Sequence, residues 1–241
     1  MAVKLYVIPA SHPSRAVQLM LERKGMPYER VDLVSALHKP VLRALGFPGT
    51  TVPAMKLDGR RIQGSRAIAR ALDVERPDPP LLPADPALRS RVEEAERFGD
   101  EELQGVPRRL AWWSLKRDPA GVRGFLEGSK LLMPMSVAVA TAGPIIAFAA
   151  RYNGATDDAV RADLAALPGL LDRVDSFIEE GVIGASEPNT ADYQIATSVR
   201  LLMCFDDLRP LIEPRAAGRH ALAIVPDYPG RIGPVLGAEA A

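Results

Sequence analysis

The 241-residue sequence contains little cysteine and carries no net charge, and both facts exclude classes of protein. Cys204 is its one cysteine, so the chain can form no internal disulfide and no multi-cysteine metal site. Thirty basic residues balance thirty acidic ones. Proteins that bind nucleic acid usually carry a strongly basic face. We therefore expect neither a nucleic-acid partner nor a bound metal. The hydrophobic share of 47% and charged share of 25% are typical of a globular protein.

Only one long run lacks charged residues, at residues 131–150. Twenty apolar residues can span a bilayer. However, Pro134, Gly143 and Pro144 interrupt this run, which favours a buried helix of a helical domain over a membrane span. The N-terminus is too quickly broken by Pro9 to be a signal peptide. We expect a cytoplasmic protein without stable membrane insertion, and a membrane-associated adaptor that uses residues 131–150 is the rival hypothesis.

The neutral total conceals a division of charge along the chain. Residues 1–80 contain 13 basic and 7 acidic residues, whereas residues 81–241 contain 17 and 23. The change falls at residues 76–83, where four of eight residues are proline. Proline lacks a backbone donor and restricts the residue before it, so this stretch is typical of an extended connector. The sequence predicts one domain over residues 1–76, a linker over 77–84 and a second domain over 85–241.

The first predicted domain alternates strand and helix signals. A short apolar run precedes Pro9, and a helical pattern begins near Ser11 and ends at Gly25. The Asp58-Gly59 pair is typical of a hairpin turn between two strands. Together with a strand at residues 28–33, a helix within 35–47 and a last helix from Ser65, the predicted order is βαβαββα.

These features resemble a known family. Val52-Pro53, the Asp58-Gly59 hairpin and Gln63-Gly64-Ser65 at a helix start are similar to the thioredoxin-like domain of glutathione S-transferases. In the second half, Asn189 and Asp192 resemble the capping box of the family's core helix, with Asn189 as the N-cap. The resemblance implies an α/β thioredoxin-like βαβαββα domain followed by an all-α domain, over nearly the whole chain.

The resemblance also implies an activity. We expect an enzyme that transfers glutathione, or another low-molecular-weight thiol, to a small-molecule electrophile, or catalyses a thiol-dependent isomerisation. Homodimers and a role in detoxification are expected on the same ground. A non-catalytic thiol- or ligand-binding protein on this scaffold is the alternative.

Ser11 matches the family's catalytic serine or cysteine at the start of the first helix. Its hydroxyl would donate to the bound thiolate, aided by the helix dipole. Alternatively, Ser11 or Ser14 simply caps the helix. Tyr6 is the catalytic alternative, because other classes use a tyrosine near the end of the first strand, and it is equally an ordinary strand aromatic. His12 is interpreted as a donor near the thiol or as a solvent-facing residue. A serine hydrolase is disfavoured, since the sequence has no G-x-S-x-G motif.

Val52, Pro53 and Ser65 are expected to belong to the binding site of the thiol ligand. By the resemblance, the proline of Val52-Pro53 is cis, and the backbone of Val52 pairs with the cysteinyl part of glutathione as an added strand would. An ordinary trans proline is the alternative. Ser65 would bind the γ-glutamyl carboxylate at the N-terminus of the third helix.

The sequence departs from the family just before Ser65. Gly64 stands where the family usually has Glu or Gln, which puts the γ-glutamyl amine contact in doubt and leaves room for another thiol. Arg66 is interpreted as a cation for a carboxylate or as a surface residue. His38 and Lys39 lie where the family places a basic group for the glycyl carboxylate, and solvent exposure is the alternative for both.

The second-substrate pocket has fewer signals. Trp112 and Trp113 are adjacent on a predicted helix, so at most one of them easily faces the cleft. Met133 and Met135 are candidates for an adaptable apolar wall. Packing is the alternative role for all four. Cys204 lies in an apolar run and is predicted to be an inert buried thiol.

Overall fold

The computed structural model describes residues 2–35, 37–130 and 133–237. Its first part has the predicted βαβαββα order. The elements are β1 (Val3–Val7), α1 (His12–Arg23), β2 (Glu29–Asp32), α2 (His38–Ala44), β3 (Ala54–Leu57), β4 (Arg60–Gln63) and α3 (Ser65–Glu75).

The four strands form one mixed sheet in the order β2-β1-β3-β4. Strand β1 pairs in parallel with β2 and antiparallel with β3, so Tyr6 lies between Val31 and Ala54. The β3–β4 hairpin turns at Asp58 and Gly59, whose φ angles of 46° and 86° are both positive. A two-residue hairpin turn needs a positive φ at both central residues, which explains the Asp-Gly pair.

Helices cover both faces of the sheet. Alternate side chains of β1 point to opposite faces, so Leu5 packs toward α1 and α3 while Tyr6 packs toward α2. The first face continues into the rest of the chain, because Tyr193 belongs to the same buried cluster as Leu5.

The remainder of the described chain is helical apart from one isolated bridge. Its helices are α4 (Pro86–Phe98), α5 (Gly105–Arg117), α6 (Val122–Leu126), α7 (Met135–Ala140), α8 (Ala142–Tyr152), α9 (Asp157–Glu179), α10 (Thr190–Leu202), α11 (Arg209–Ile212) and α12 (Ala216–Ile224). A π-helical turn, Gly99–Leu103, joins α4 to α5, and a 3₁₀ turn, Pro119–Gly121, precedes α6.

Helix α10 is the centre of the helical part, and every residue of it is buried. It begins with the predicted capping box. Asn189 Oδ1 accepts from the backbone N–H of Asp192 at 3.3 Å, and Asp192 Oδ2 accepts from that of Asn189 at 2.7 Å. The buried N-terminus of α10 therefore has side-chain partners for donors that lack a partner within the helix.

The proline-rich stretch is held by a buried ion pair. Lys24 is 1% exposed, and its Nζ lies 2.6 Å from Asp73 Oδ1. The same carboxylate accepts from the backbone N–H groups of Leu81 and Leu82 at 2.8 and 3.1 Å. The end of α3 and the segment leading to α4 are thus tied to the end of α1.

The interpretation of residues 131–150 as one buried helix is wrong. Leu131 and Leu132 lie outside the described residues, and the rest forms α7 and α8 with a break at Thr141. Phe148 is 52% exposed. Pro144 has no backbone donor, so it suits the first turn of a new helix and not the interior of a long one. In the ranges described, no helix is long and apolar enough to cross a membrane.

Candidate active site

A cavity of about 520 Å³ lies between the sheet and the helical part. One side is formed by the turn after β1, the segment before β3 and the start of α3. The other side is formed by α5, α6 and α8. Seven of the predicted site residues line this cavity together with Pro53. They are Ser11, His12, His38, Lys39, Val52, Gly64 and Ser65.

Ser11 occupies the N-cap position of α1 but makes no side-chain capping bond. Instead Ser14 Oγ donates to Ser11 Oγ over 3.0 Å. The alternative that Ser11 or Ser14 caps α1 through its side chain is therefore not supported. With its oxygen accepting from Ser14, the hydroxyl of Ser11 keeps its own hydrogen for a ligand in the cavity.

Tyr6 lies outside the cavity lining. Its side chain is buried, and its ring packs edge-on against Phe47 with centroids 5.5 Å apart. This position follows from the alternation along β1, which turns Tyr6 toward α2. The geometry therefore does not support the catalytic alternative at Tyr6.

His12 is not the solvent-facing residue that was considered, because only 3% of it is exposed. Burial, with a smaller contribution from the nearby Arg108 cation, lowers the pKa of His12 well below its ordinary value. The imidazole is therefore neutral at physiological pH. Its Nε2 is buried and has no hydrogen-bond partner among the described residues.

The Val52–Pro53 peptide bond is cis, as predicted. The Pro53 carbonyl accepts from the backbone N–H of Gly64 at 3.0 Å, which joins this segment to the start of α3. Gln63 braces the preceding loop: its Oε1 accepts from Gly49 N–H at 2.6 Å, and its Nε2 donates to Thr51 O at 2.7 Å. The amide of Gln63 is thus engaged in holding the loop that presents Val52.

The N-terminus of α3 opens into the cavity. Gly64 is the N-cap with a φ of 88°, a left-handed conformation that favours glycine. Buried Ser65 follows as the first helical residue. The unpaired N–H groups of a first helical turn and a neighbouring hydroxyl are suited to an anion.

Arg66 does not line the cavity. Its guanidinium lies 3.4 Å from Glu101 and 3.6 Å from Glu96. Arg66 therefore links α3 to α4 and the π-helical turn. This position matches neither interpretation from the sequence, that is, a cation for a ligand carboxylate or a free surface residue.

Asp100 is a site residue that sequence reasoning missed. It lies on the π-helical turn and lines the cavity with Gly64 and Ser65. Gln104 Nε2 donates to Asp100 Oδ1 at 3.2 Å. No local motif marks this carboxylate, because its position depends on how the π-helical turn packs beside α3, where Asp100 lies 3.9 Å from Arg66.

His38 and Lys39 begin α2 at the cavity mouth. The Nδ1 of His38 hydrogen-bonds with the carbonyl of Ser35, and burial lowers the pKa of His38. Lys39 Nζ lies 3.2 Å from the centroid of the Tyr152 ring, which is a cation–π contact across the mouth. The mouth therefore carries one cation beside an aromatic ring.

The two tryptophans diverge, as predicted. Trp112 lines the cavity, whereas Trp113 is buried elsewhere and donates its Nε1–H to Asp157 Oδ1 at 2.7 Å. Met133 lines the cavity and Met135 does not.

Arg108 was missed as a site residue, although the sequence holds a signal for it. Arg108, Trp112 and Leu115 are spaced four and three residues apart on α5, and all three line the cavity. Burial lowers the pKa of Arg108, and the Asp100 carboxylate opposes that shift. In the described ranges the guanidinium of Arg108 has no side-chain hydrogen bond or ion pair to another residue, so the cavity contains a cation without a direct partner.

The remaining walls are mostly apolar, and they include Leu33, Val122, Phe125, Ile145 and Ile146. No group of three or more His, Cys, Asp or Glu side chains in the described part of the chain could hold a metal ion. Cys204 lies outside the cavity lining, and burial raises its pKa to about 12. The prediction that Cys204 is buried is confirmed, and its raised pKa supports the expectation of an inert thiol.

Known proteins share this architecture. Residues 5–80 match the family model described as glutathione S-transferase, N-terminal domain. Glutathione S-transferase U6 of Arabidopsis thaliana is 32% identical over 104 residues, 43% of this chain and 47% of that protein. A probable maleylacetoacetate isomerase of Caenorhabditis elegans is 39% identical over 90 residues, 36% of this chain and 42% of that protein. The matched region thus spans about half the length of the curated relatives.

A solved structure extends the likeness to most of the chain. Maleylacetoacetate isomerase from Anaeromyxobacter dehalogenans, crystallised with dicarboxyethyl glutathione and citrate in its active site, superimposes with a TM-score of 0.55. The match is 18% identical and covers 92% of this chain and 89% of that one. At this identity the likeness concerns the fold.

Proposed function

We propose that the chain belongs to the glutathione S-transferase superfamily, and that it binds glutathione and transfers it to an electrophile. The observation that carries the proposal is the convergence of Ser11, Val52 and the N-terminus of α3 on one cavity. A thiol, a peptide backbone and a carboxylate each find a matching group there.

The thiol chemistry is assigned to Ser11. A thiolate is the reactive form of glutathione, and a hydroxyl donor beside it lowers the pKa of the thiol. The N-terminus of α1 adds a partial positive charge at the same place. The thiolate sulfur, whose proton has gone to solvent, then forms a bond to the electrophilic carbon. In a substitution, the bond to the leaving group breaks and that group departs with the electron pair. In an addition, the π electrons of the attacked double bond move to its far end, which takes up a proton.

The γ-glutamyl group is assigned to the start of α3 and to Asp100. Ser65 and the first N–H groups of α3 suit its carboxylate. The Asp100 carboxylate suits its ammonium group. Asp100 of the helical part would thus replace the Glu or Gln that the family usually has at the position of Gly64. Lys39 at the mouth is the candidate for the glycyl carboxylate, with His38 beside it.

The electrophile is assigned to the apolar half of the cavity. Trp112, Phe125 and Ile145 line that half, which favours a substrate with an aromatic or aliphatic body.

The second candidate function is the thiol-dependent isomerisation of an acidic substrate. The Arg108 guanidinium has no direct partner among the described residues, and this favours the isomerisation because a carboxylate of the substrate would pair with it inside the cavity. Two of the similar proteins bear the name maleylacetoacetate isomerase.

The proposal extends to the molecule's setting. We propose a homodimer that acts in the cytoplasm in detoxification, on the strength of the superfamily membership. The boundary between the thioredoxin-like and helical domains is proposed at residues 77–84, where the proline-rich stretch separates α3 from α4.

Thermal-shift titration with glutathione, followed by turnover with 1-chloro-2,4-dinitrobenzene, tests this function. Binding to the folded state raises the Tm. The proposal predicts a Tm that rises with glutathione concentration and measurable conjugation. A rising Tm without conjugation across a panel of electrophiles favours the non-catalytic binding protein. An unchanged Tm with glutathione contradicts the proposal.

A further inference from the structure

The segment after α12 folds back along the helical part toward the site. Arg200 of α10 holds its beginning, because Nε donates to Val225 O at 2.7 Å and Nη2 to Pro226 O at 3.1 Å. We refer to residues 225–237 as the C-terminal strap.

The far end of the strap is anchored as well. The backbone N–H of Ile232 donates to Cys204 O at 2.8 Å, and its carbonyl accepts from Asp206 N–H at 2.9 Å. Asp207 accepts from the backbone N–H of Val235 at 2.8 Å. The side chain of Ile232 is buried in the helical core. The strap is therefore a fixed element of the fold on both sides of Tyr228.

Tyr228 reaches from the strap to the turn that carries Ser11. Its hydroxyl donates to the carbonyl of Ala10 at 2.7 Å. Burial raises the pKa of Tyr228 well above its ordinary value, so the hydroxyl stays protonated and remains a donor. Tyr228 does not line the cavity and so has no direct access to a ligand there.

The turn at Ala10 has a conformation that needs support. Ala10 has a φ of 56°, in the left-handed region that residues with a Cβ rarely adopt. Ser11 follows immediately, and its N–H donates to Ile8 O at 3.0 Å. A rotation of the Ala10 peptide would move the backbone of Ser11 and hence its hydroxyl.

We propose that Tyr228 is a positioning residue, which holds the Ala10 peptide so that the Ser11 hydroxyl points at the thiol. The strap thereby couples the end of the chain to the first catalytic turn. The assignment of Ser11 to the thiol rests on the proposed function, whereas the restraint of the Ala10 peptide by Tyr228 does not.

Tyr228→Phe tests the proposal, because it removes the hydroxyl and leaves the ring. The apparent pKa of bound glutathione, read from thiolate absorbance against pH, is expected to rise. We expect kcat to fall about tenfold, since a small misplacement of a catalytic group is costly, while the KM for glutathione changes less than about twofold. Exchange of the Ser11 amide hydrogen in the ligand-free protein is expected to become faster.

Arg231→Gln is the matched control. Arg231 pairs with Asp206 at 2.8 Å on the exposed side of the strap and does not contact the turn. This variant alters the exposed side of the strap and leaves the Tyr228 hydroxyl in place, so the thiol pKa and the exchange at Ser11 should stay unchanged. Equal effects of the two variants, or an unchanged thiol pKa and kcat in Tyr228→Phe, overturn the proposal. If the wild-type chain binds no glutathione, the proposed function fails. In that case amide exchange alone tests whether Tyr228 restrains the Ala10 peptide, and unchanged exchange at Ser11 in Tyr228→Phe overturns this restraint.

Discussion

At the scale of single residues, Ser11 carries the chemistry of the proposed reaction. Replacing it by alanine removes the donor to the thiolate, so the apparent pKa of bound glutathione should rise. Turnover should fall about a hundredfold, as on loss of one donor to a developing anion. Both are measured with glutathione and 1-chloro-2,4-dinitrobenzene. Ser14→Ala is the control. Ser14 donates a hydrogen bond to Ser11 but is not assigned a contact with the thiolate, so the effect of Ser14→Ala should be smaller. Unchanged pKa and turnover in Ser11→Ala would remove Ser11 from the mechanism.

His12 makes stability depend on pH. Burial holds the pKa of His12 well below 6.5 in the folded chain. Below about pH 6.5 the imidazole is therefore protonated in the unfolded chain and still neutral in the folded chain. The free energy of unfolding should therefore fall as pH falls from about 6.5 toward the folded pKa. Tm values at pH 5 and pH 7.5 measure this loss, which should be smaller in His12→Gln than in the wild type.

His38 gives the comparison for that experiment. Burial also lowers its pKa, but its side chain is only partly buried. His38→Gln should therefore reduce the acid loss of Tm less than His12→Gln does. Equal pH dependence in the wild type and His12→Gln would contradict the assignment of a buried neutral imidazole.

Arg108 distinguishes acidic from neutral substrates. If it pairs with a substrate carboxylate, Arg108→Gln should lower kcat/KM for an α,β-unsaturated acid about tenfold or more, because an ionic hydrogen bond is lost. The methyl ester of the same acid should be affected little. Arg123→Gln, an exposed change on α6, is the control. Equal losses for acid and ester would contradict the carboxylate pairing.

At the scale of elements, the start of α10 fixes the helical part. Both oxygens of Asp192 accept backbone hydrogen bonds, from Gly184 and Asn189, each at 2.7 Å. Asp192→Ala should lower the free energy of unfolding by about 2 kcal/mol or more, because two backbone donors, one of them buried, lose their acceptor. Asp192→Asn keeps one acceptor and should cost less. Urea unfolding measures both, and a wild-type midpoint in Asp192→Ala would contradict the capping role.

Elements with strong local signals could be predicted from the sequence. The Asp58-Gly59 hairpin and the Asn189–Asp192 capping box are set by turn and cap chemistry within four residues. The run at residues 131–150 could not, because apolar composition alone does not show where a helix breaks. The run contains two prolines and a glycine, but these residues alone do not fix the result. The two short helices and the exposed Phe148 depend on packing around the cavity.

At the scale of the whole molecule, the site is assembled from distant segments. Sequence motifs predicted the half of the candidate site that contains Ser11, Val52 and Ser65, because all three residues belong to the thioredoxin-like part of the chain. Asp100 and Arg108 come from the helical part, and Tyr228 comes from the C-terminal strap. Their places depend on how α10 packs against α1, which no local pattern records.

The proposed mechanism requires that glutathione bind with its sulfur at Ser11. The most direct measurement is the distance between that sulfur and Ser11 Oγ in a crystal structure soaked with glutathione. We predict hydrogen-bond contact there, with the cysteinyl backbone against Val52 and the γ-glutamyl carboxylate at Ser65. Glutathione bound with its sulfur away from Ser11, or no bound glutathione at saturating concentration, would contradict this mechanism.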